Sequence, residues 1–82
     1  MKNCKKKAEV YIKKVEAVFN KVKFKDARKE VNEALDYAKR YWSDAKYFLK
    51  KEDFASALAC ISYAEGILDA LRILNLIEFE WE

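Results

Sequence analysis

Apolar side chains recur at intervals of three and four along most of this chain. In the first segment Cys4, Ala8, Tyr11, Ile12, Val15, Val18, Phe19 and Val22 fall on one stripe, which predicts an amphipathic helix over 3–22. The lysines fall mostly on the opposite side. Val22-Lys23-Phe24-Lys25-Asp26 breaks the register, so a turn is expected there, with Asp26 as the N-cap of a second helix. From 27 to 50 three columns repeat every seven residues: Val31, Ala38 and Ala45; Leu35, Trp42 and Leu49; Ala34, Tyr41 and Phe48. Adjacent columns make the broad core-facing surface that a helix in a bundle needs. Asp36 and Arg40, at i,i+4 on the outer side, are expected to pair.

Lys50-Lys51-Glu52-Asp53 is the next connection, with Asp53 placed to cap a helix over 54–74. So short a link forces the second and third helices to lie antiparallel. Phe54, Ala57, Leu58, Ile61, Ala64, Leu68 and Leu71 form the third helix's core face, widened by Cys60, Ile67 and Leu74. Few polar residues interrupt it, so it is expected to be covered on more than one side. Asn75 suits the left-handed position that ends a helix, with Leu76 folding back on Leu71. Ile77-Glu78-Phe79-Glu80-Trp81-Glu82 alternates at a strand's period, but a lone strand has no partner among helices. It reads as an extended tail with Ile77 and Phe79 packed on the bundle and a frayed end. The prediction is a single all-α domain over 1–82, an up-down-up three-helix bundle with a short extended C-terminal tail at 76–82.

Composition sharpens this picture. Thr, Gln, His and Pro are absent, and Gly occurs once, so little in the chain breaks a helix. Lys-rich, amide-poor usage is the tendency of heat-adapted proteins; AT-rich coding in a mesophile is the other source. No uninterrupted apolar run approaches the ~18 residues that span a bilayer, and the basic N-terminus leads into no signal-like stretch. A cytoplasmic location is expected. Residues 1–25 carry nine Lys against Glu9 and Glu16, a net of +7, whereas the rest carries −4. The total of +3 therefore hides a basic first helix on an acidic body.

Tyr41 to Phe79 resembles an uncharacterised archaeal family, domain of unknown function 357. The matching residues are Asp44-Ala45-Lys46-Tyr47-Phe48-Leu49, Glu52-Asp53, Leu68-Asp69-Ala70-Leu71-Arg72 and Leu76-Ile77-Glu78-Phe79. The resemblance implies a three-helix bundle in an archaeal cytoplasm and brings no functional residue with it. Ala45 to Leu71 also looks like one tetratricopeptide-type hairpin, but no second repeat follows. The same hairpin resembles helical domains with an Arg-x4–6-His ribonuclease motif, an activity that a chain without His does not inherit.

Chemistry-bearing residues are sparse. The absence of His removes the commonest general base and metal ligand together. Glu65 and Asp69, one turn apart with Arg72 beyond, would suit acid–base work or a shared cation; a solvated polar edge is the preferred reading. Cys4 and Cys60 lack the base and further ligands that nucleophilic or metal chemistry needs, so they read as free thiols filling apolar space. Lys6, Lys13, Lys14 and Lys21 form a candidate basic face that either tracks phosphates or merely solubilises the helix. On the third helix Ala59, Tyr63, Gly66, Ala70 and Ile73 form a nearly charge-free strip away from the core centre. Gly66 inside a helix costs about 1 kcal/mol relative to Ala, which suggests close approach by something. Either the C-terminal tail covers this strip or it is a docking surface.

These features predict a non-enzymatic interaction module, without cofactor or metal, whose partner is a second copy or another protein. The alternative is a sequence-independent nucleic-acid accessory using the first helix. No membrane association is expected.

Overall fold

The structure, a computed structural model, describes residues 2–81. Three helices follow one another as α1 (Lys2–Lys21), α2 (Lys29–Lys50) and α3 (Phe54–Ile73). They pack up-down-up, with contacts between every pair of helices. The expected bounds hold to within two residues. Of the tail 76–82, Glu82 lies outside the described residues, as does Met1.

The core is the set of stripes read from the spacing. Cys4, Ala8, Ile12, Val15 and Val18 of α1 are buried, as are Val31, Leu35, Ala38 and Ala45 of α2 and Ala57, Ile61, Ala64, Leu68 and Leu71 of α3. Ala38 and Ala45 of α2 and Ala57 and Ala64 of α3 are fully buried, and these two helices make the most extensive contact in the bundle. Small side chains there let the two helices approach closely. The α1–α2 contact is the thinnest. It is held by the Trp42 indole, which donates to the Ile12 carbonyl at 3.2 Å and meets the edge of Phe19.

Both tight connections end a helix on a left-handed residue. Asn75, at φ 62°, closes α3 as expected, and the Leu76 N–H donates to the Leu71 carbonyl at 3.0 Å. Glu52, at φ 61°, does the same for α2, with the Asp53 N–H donating to the Phe48 carbonyl at 2.9 Å. The Asp53 carboxylate then caps α3 by accepting from the Ser56 N–H.

Four expectations need correction. Asp26 does not cap α2: the N-cap is Arg28, without a side-chain bond, and Asp26 instead accepts three bonds from Arg28. Arg40 lies over the Tyr37 ring at 5.0 Å rather than on Asp36. Leu74 does not widen the core face, because it ends α3 with 66% of its surface exposed.

The tail is the fourth correction, since its strand does have a partner. Ile77–Glu78 forms a strand, β2, paired antiparallel with β1 (Lys23–Phe24) in the α1–α2 connection, with Phe24 opposite Ile77. The Lys25 N–H donates to the Leu76 carbonyl, and Lys25 pairs with Glu78 at 3.4 Å. Ile77 and Phe79 are buried, as expected. The chain then continues to Trp81, whose indole donates to Asp69 at 2.8 Å.

Candidate functional site

The third helix carries the largest unexplained feature. Ala59, Tyr63, Gly66, Ala70 and Ile73 are all exposed, Tyr63 at 58% and Ile73 at 70%. The tail does not cover them. Its buried residues enter the core, and its end reaches Asp69 on a different flank of α3. Nor does anything in the fold approach Gly66: a Cβ built there would meet no atom within 4 Å. The close neighbour that a mid-helix glycine suggests is therefore absent from the described fold. At the edge of the strip Tyr41 of α2 lies on Tyr63, ring centroids 4.4 Å apart.

By length and composition Phe54–Ile73 is apolar enough to cross a bilayer, with a mean hydropathy of 1.4, yet only 28% of that stretch is buried. Counting uninterrupted apolar runs misses this, because Ser, Tyr and Gly break the runs without making the helix polar. An apolar helix that keeps an uncharged strip exposed has surface to spare.

The four lysines of the expected basic face do not share one surface. Lys6 and Lys13 are exposed and line a groove of about 550 Å³ between α1 and α2, together with Lys46 and Lys50. Val10, Ile12 and Leu49 form its aliphatic floor, and Glu9 and Glu16 also line it. Lys21 stands at the far end of α1. Lys14 turns the other way, its ammonium 5.5 Å from the ring centroids of both Tyr11 and Trp81. Position 14 lies three residues from Tyr11 and four from Val18, which sets it on the flank of the core stripe rather than opposite it.

Lys14 reaches the acidic pair on α3. Glu65 is not on a solvated edge: its Oε1 is shut off from solvent and accepts no hydrogen bond among the described residues. Burial pushes its carboxyl above the usual range, while the charge of Lys14 draws it partly back. Asp69 moves the opposite way. The Trp81 hydrogen bond holds its carboxyl low, against partial burial, and Arg72 at 3.1 Å adds to the effect. Two adjacent carboxylates thus titrate apart: the Asp69 shift traces to the tail through Trp81, and the Glu65 shift to burial. Arg72 also lies 5.9 Å from the Phe79 ring, and Phe79 meets Trp81 edge-on. The cluster works as a latch that fixes the tail.

Cys4 is buried and Cys60 half-buried, and both are free thiols. Burial, then the charges of Asp44 and Asp53, pushes the Cys60 thiol up, which opposes nucleophilic use. Among the described residues no group of three His, Cys, Asp or Glu is placed to hold a metal ion.

Sequence reasoning finds the α3 strip but misses the groove, whose second wall comes from α2. Val10 is the available signal, an aliphatic residue off the core stripe and 46% exposed. Comparison with the curated proteins and with the solved structures finds no match to the chain. One family does match, over residues 10–77, which takes in the later part of α1, all of α2 and α3, and the start of β2. The chain belongs to that family, described as Protein of unknown function (DUF357).

Proposed function

We propose that this chain is a non-enzymatic helical module that pairs with a second copy of itself through α3, the two helices running antiparallel. The observation that carries the reading is the uncovered strip, with the tail packed elsewhere and Gly66 facing open space.

The order of side-chain sizes along the strip favours a second copy as the occupant. Its residues follow one another at intervals of four, three, four and three, the spacing of a helix–helix seam. Gly66 is the middle position. If a two-fold axis passes beside it, Ala59 faces the partner's Ile73, Tyr63 faces the partner's Ala70, and glycine faces glycine. Each outer layer then sets a large side chain against a small one, as close packing requires. A parallel pair would stack Tyr63 on Tyr63 and Ile73 on Ile73 and leave gaps at the alanines. No charged side chain lies on the strip, so the two-fold brings no like charges together. The seam is only roughly 21 Å long, at 1.5 Å per residue, so a micromolar association is expected rather than an obligate one.

A chain without His, whose Asp69 carboxylate is engaged by Trp81 and Arg72, supports the non-catalytic side of the reading. The Lys-rich, amide-poor composition supports a heat-adapted source.

Light scattering and sedimentation equilibrium up to millimolar concentration test the proposal, with wild type beside Gly66→Glu and Ala70→Glu. Both substitutions sit on exposed positions, so circular dichroism is expected to be unchanged. Wild type is expected to dimerise and both variants to remain monomeric. A wild type that stays monomeric throughout overturns the proposal. So does a wild type that partitions into lipid vesicles through α3 instead of pairing.

A further inference from the structure

We infer that the groove between α1 and α2 binds an acidic amphipathic helical segment of a partner protein. The groove is a separate surface from the α3 strip, and α3 contributes nothing to its lining.

Its construction defines the occupant. Val10 and Leu49 offer aliphatic surface at the floor. Lys6 and Lys13 stand along the α1 wall, two turns apart, and Lys46 and Lys50 stand one turn apart along the α2 wall. Glu9 and Glu16 offset two of these four charges, so the groove keeps a positive excess on an apolar base. None of the four ammoniums has a carboxylate partner among the described residues. Cations on both walls of an aliphatic floor match a helix with carboxylates on either side of an apolar stripe.

The same features argue against nucleic acid. A phosphodiester backbone has nothing to set against Val10 and Leu49, and single-stranded bases need open aromatic faces on which to stack. Among the described residues no aromatic side chain lines the groove, and the Trp42 ring, next along α2, already carries the Lys46 ammonium at 4.1 Å. Tyr11 carries Lys14 in the same way. A flat membrane surface would meet the lysines but not the floor of a concave site.

Fluorescence anisotropy with labelled probes and the full chain tests this. The probes are a synthetic peptide of about 15 residues with Leu at helical spacing and Glu elsewhere, a scrambled isomer of equal charge, and a single-stranded RNA of matched length. The patterned peptide is expected to bind at least about tenfold more tightly than the scrambled isomer or the RNA. Val10→Asp, and Lys13→Glu combined with Lys50→Glu, are each expected to weaken it about tenfold or more. These positions are exposed, and unchanged circular dichroism would show that the fold persists. Equal binding of the patterned and scrambled peptides overturns the inference. RNA binding that matches the peptide and ignores Val10→Asp overturns it in favour of a nucleic-acid surface. Failure of every probe to bind at low salt also overturns it, whatever the oligomeric state of the chain.

Discussion

Replacing Gly66 by Ala separates the folding of the monomer from the pairing of two copies. Gly66 lies in the interior of α3 with an ordinary backbone conformation, and a methyl group there would meet nothing within 4 Å. In the monomer the substitution therefore carries no steric cost and gains the helix propensity that glycine lacks, about 0.8–1.0 kcal/mol. Each kcal/mol moves the melting midpoint of a domain this size by roughly 4–8 °C, so a rise of roughly that amount is expected. In an antiparallel pair centred on Gly66 the sign reverses. Two methyl groups would meet at the axis, and overpacking of about 1–3 kcal/mol would weaken the dimer roughly 5- to 150-fold. Melting is followed by circular dichroism at dilutions well below the dimer's dissociation constant, and association by sedimentation equilibrium at high concentration. A lower melting point would refute the assignment of Gly66 to open space. A dimer of unchanged or greater affinity would refute its position at the axis.

Two further outcomes rest on local geometry. Glu52 holds φ at 61° without a glycine's freedom, so Glu52→Gly is expected to stabilise the chain by roughly 0.5–1 kcal/mol in urea unfolding, whereas a loss would show that the Glu side chain does more than fill the position. The acidic pair on α3 gives opposite pH dependences. Asp69 is held below its ordinary range, so its contribution is present above the unfolded-state value and disappears as pH falls through the folded one. Glu65 is raised, so it weakens the fold at neutral pH, and stability returns as pH falls through its folded value. Glu65→Gln is therefore expected to raise the neutral-pH melting point, and Trp81→Phe to shift the acid-side loss of stability to higher pH. Flat pH profiles in both variants would contradict these assignments.

Whatever repeats along the chain is legible in the sequence. The helices, their inward faces, the Asp53 cap and the Asn75 stop all come from spacing and from one residue's chemistry. The β1–β2 pair does not, because each strand has only two residues and its partner lies more than fifty positions away. The tail's alternation is visible, but nothing in Val22-Lys23-Phe24 announces an edge for it to join. Asp26 has the right chemistry for a cap but is held by Arg28 two residues on, a competition that only coordinates decide. Charge alone puts Lys14 on the basic face, whereas its position beside Tyr11 sets it on the flank of the core stripe. Glu65 reads as polar edge because its own helix gives no sign of the burial that Oε1 meets in the fold, with Lys14 of α1 nearby. The strip on α3 shows in the sequence as a lack of charge; that it stays uncovered is what the structure adds.

Single-cysteine cross-linking tests the pairing of α3 most directly. In a background of Cys4→Ser and Cys60→Ala, Gly66→Cys, Tyr63→Cys, Ala59→Cys and Ile73→Cys would be oxidised one at a time and as mixed pairs. The antiparallel pair predicts that Gly66→Cys cross-links to itself, because oxidation traps even a pair weakened by the added side chain. It also predicts that Ala59→Cys and Ile73→Cys cross-link only when mixed, and that Tyr63→Cys alone stays monomeric. Self-cross-linking at every position, or at none, would contradict it.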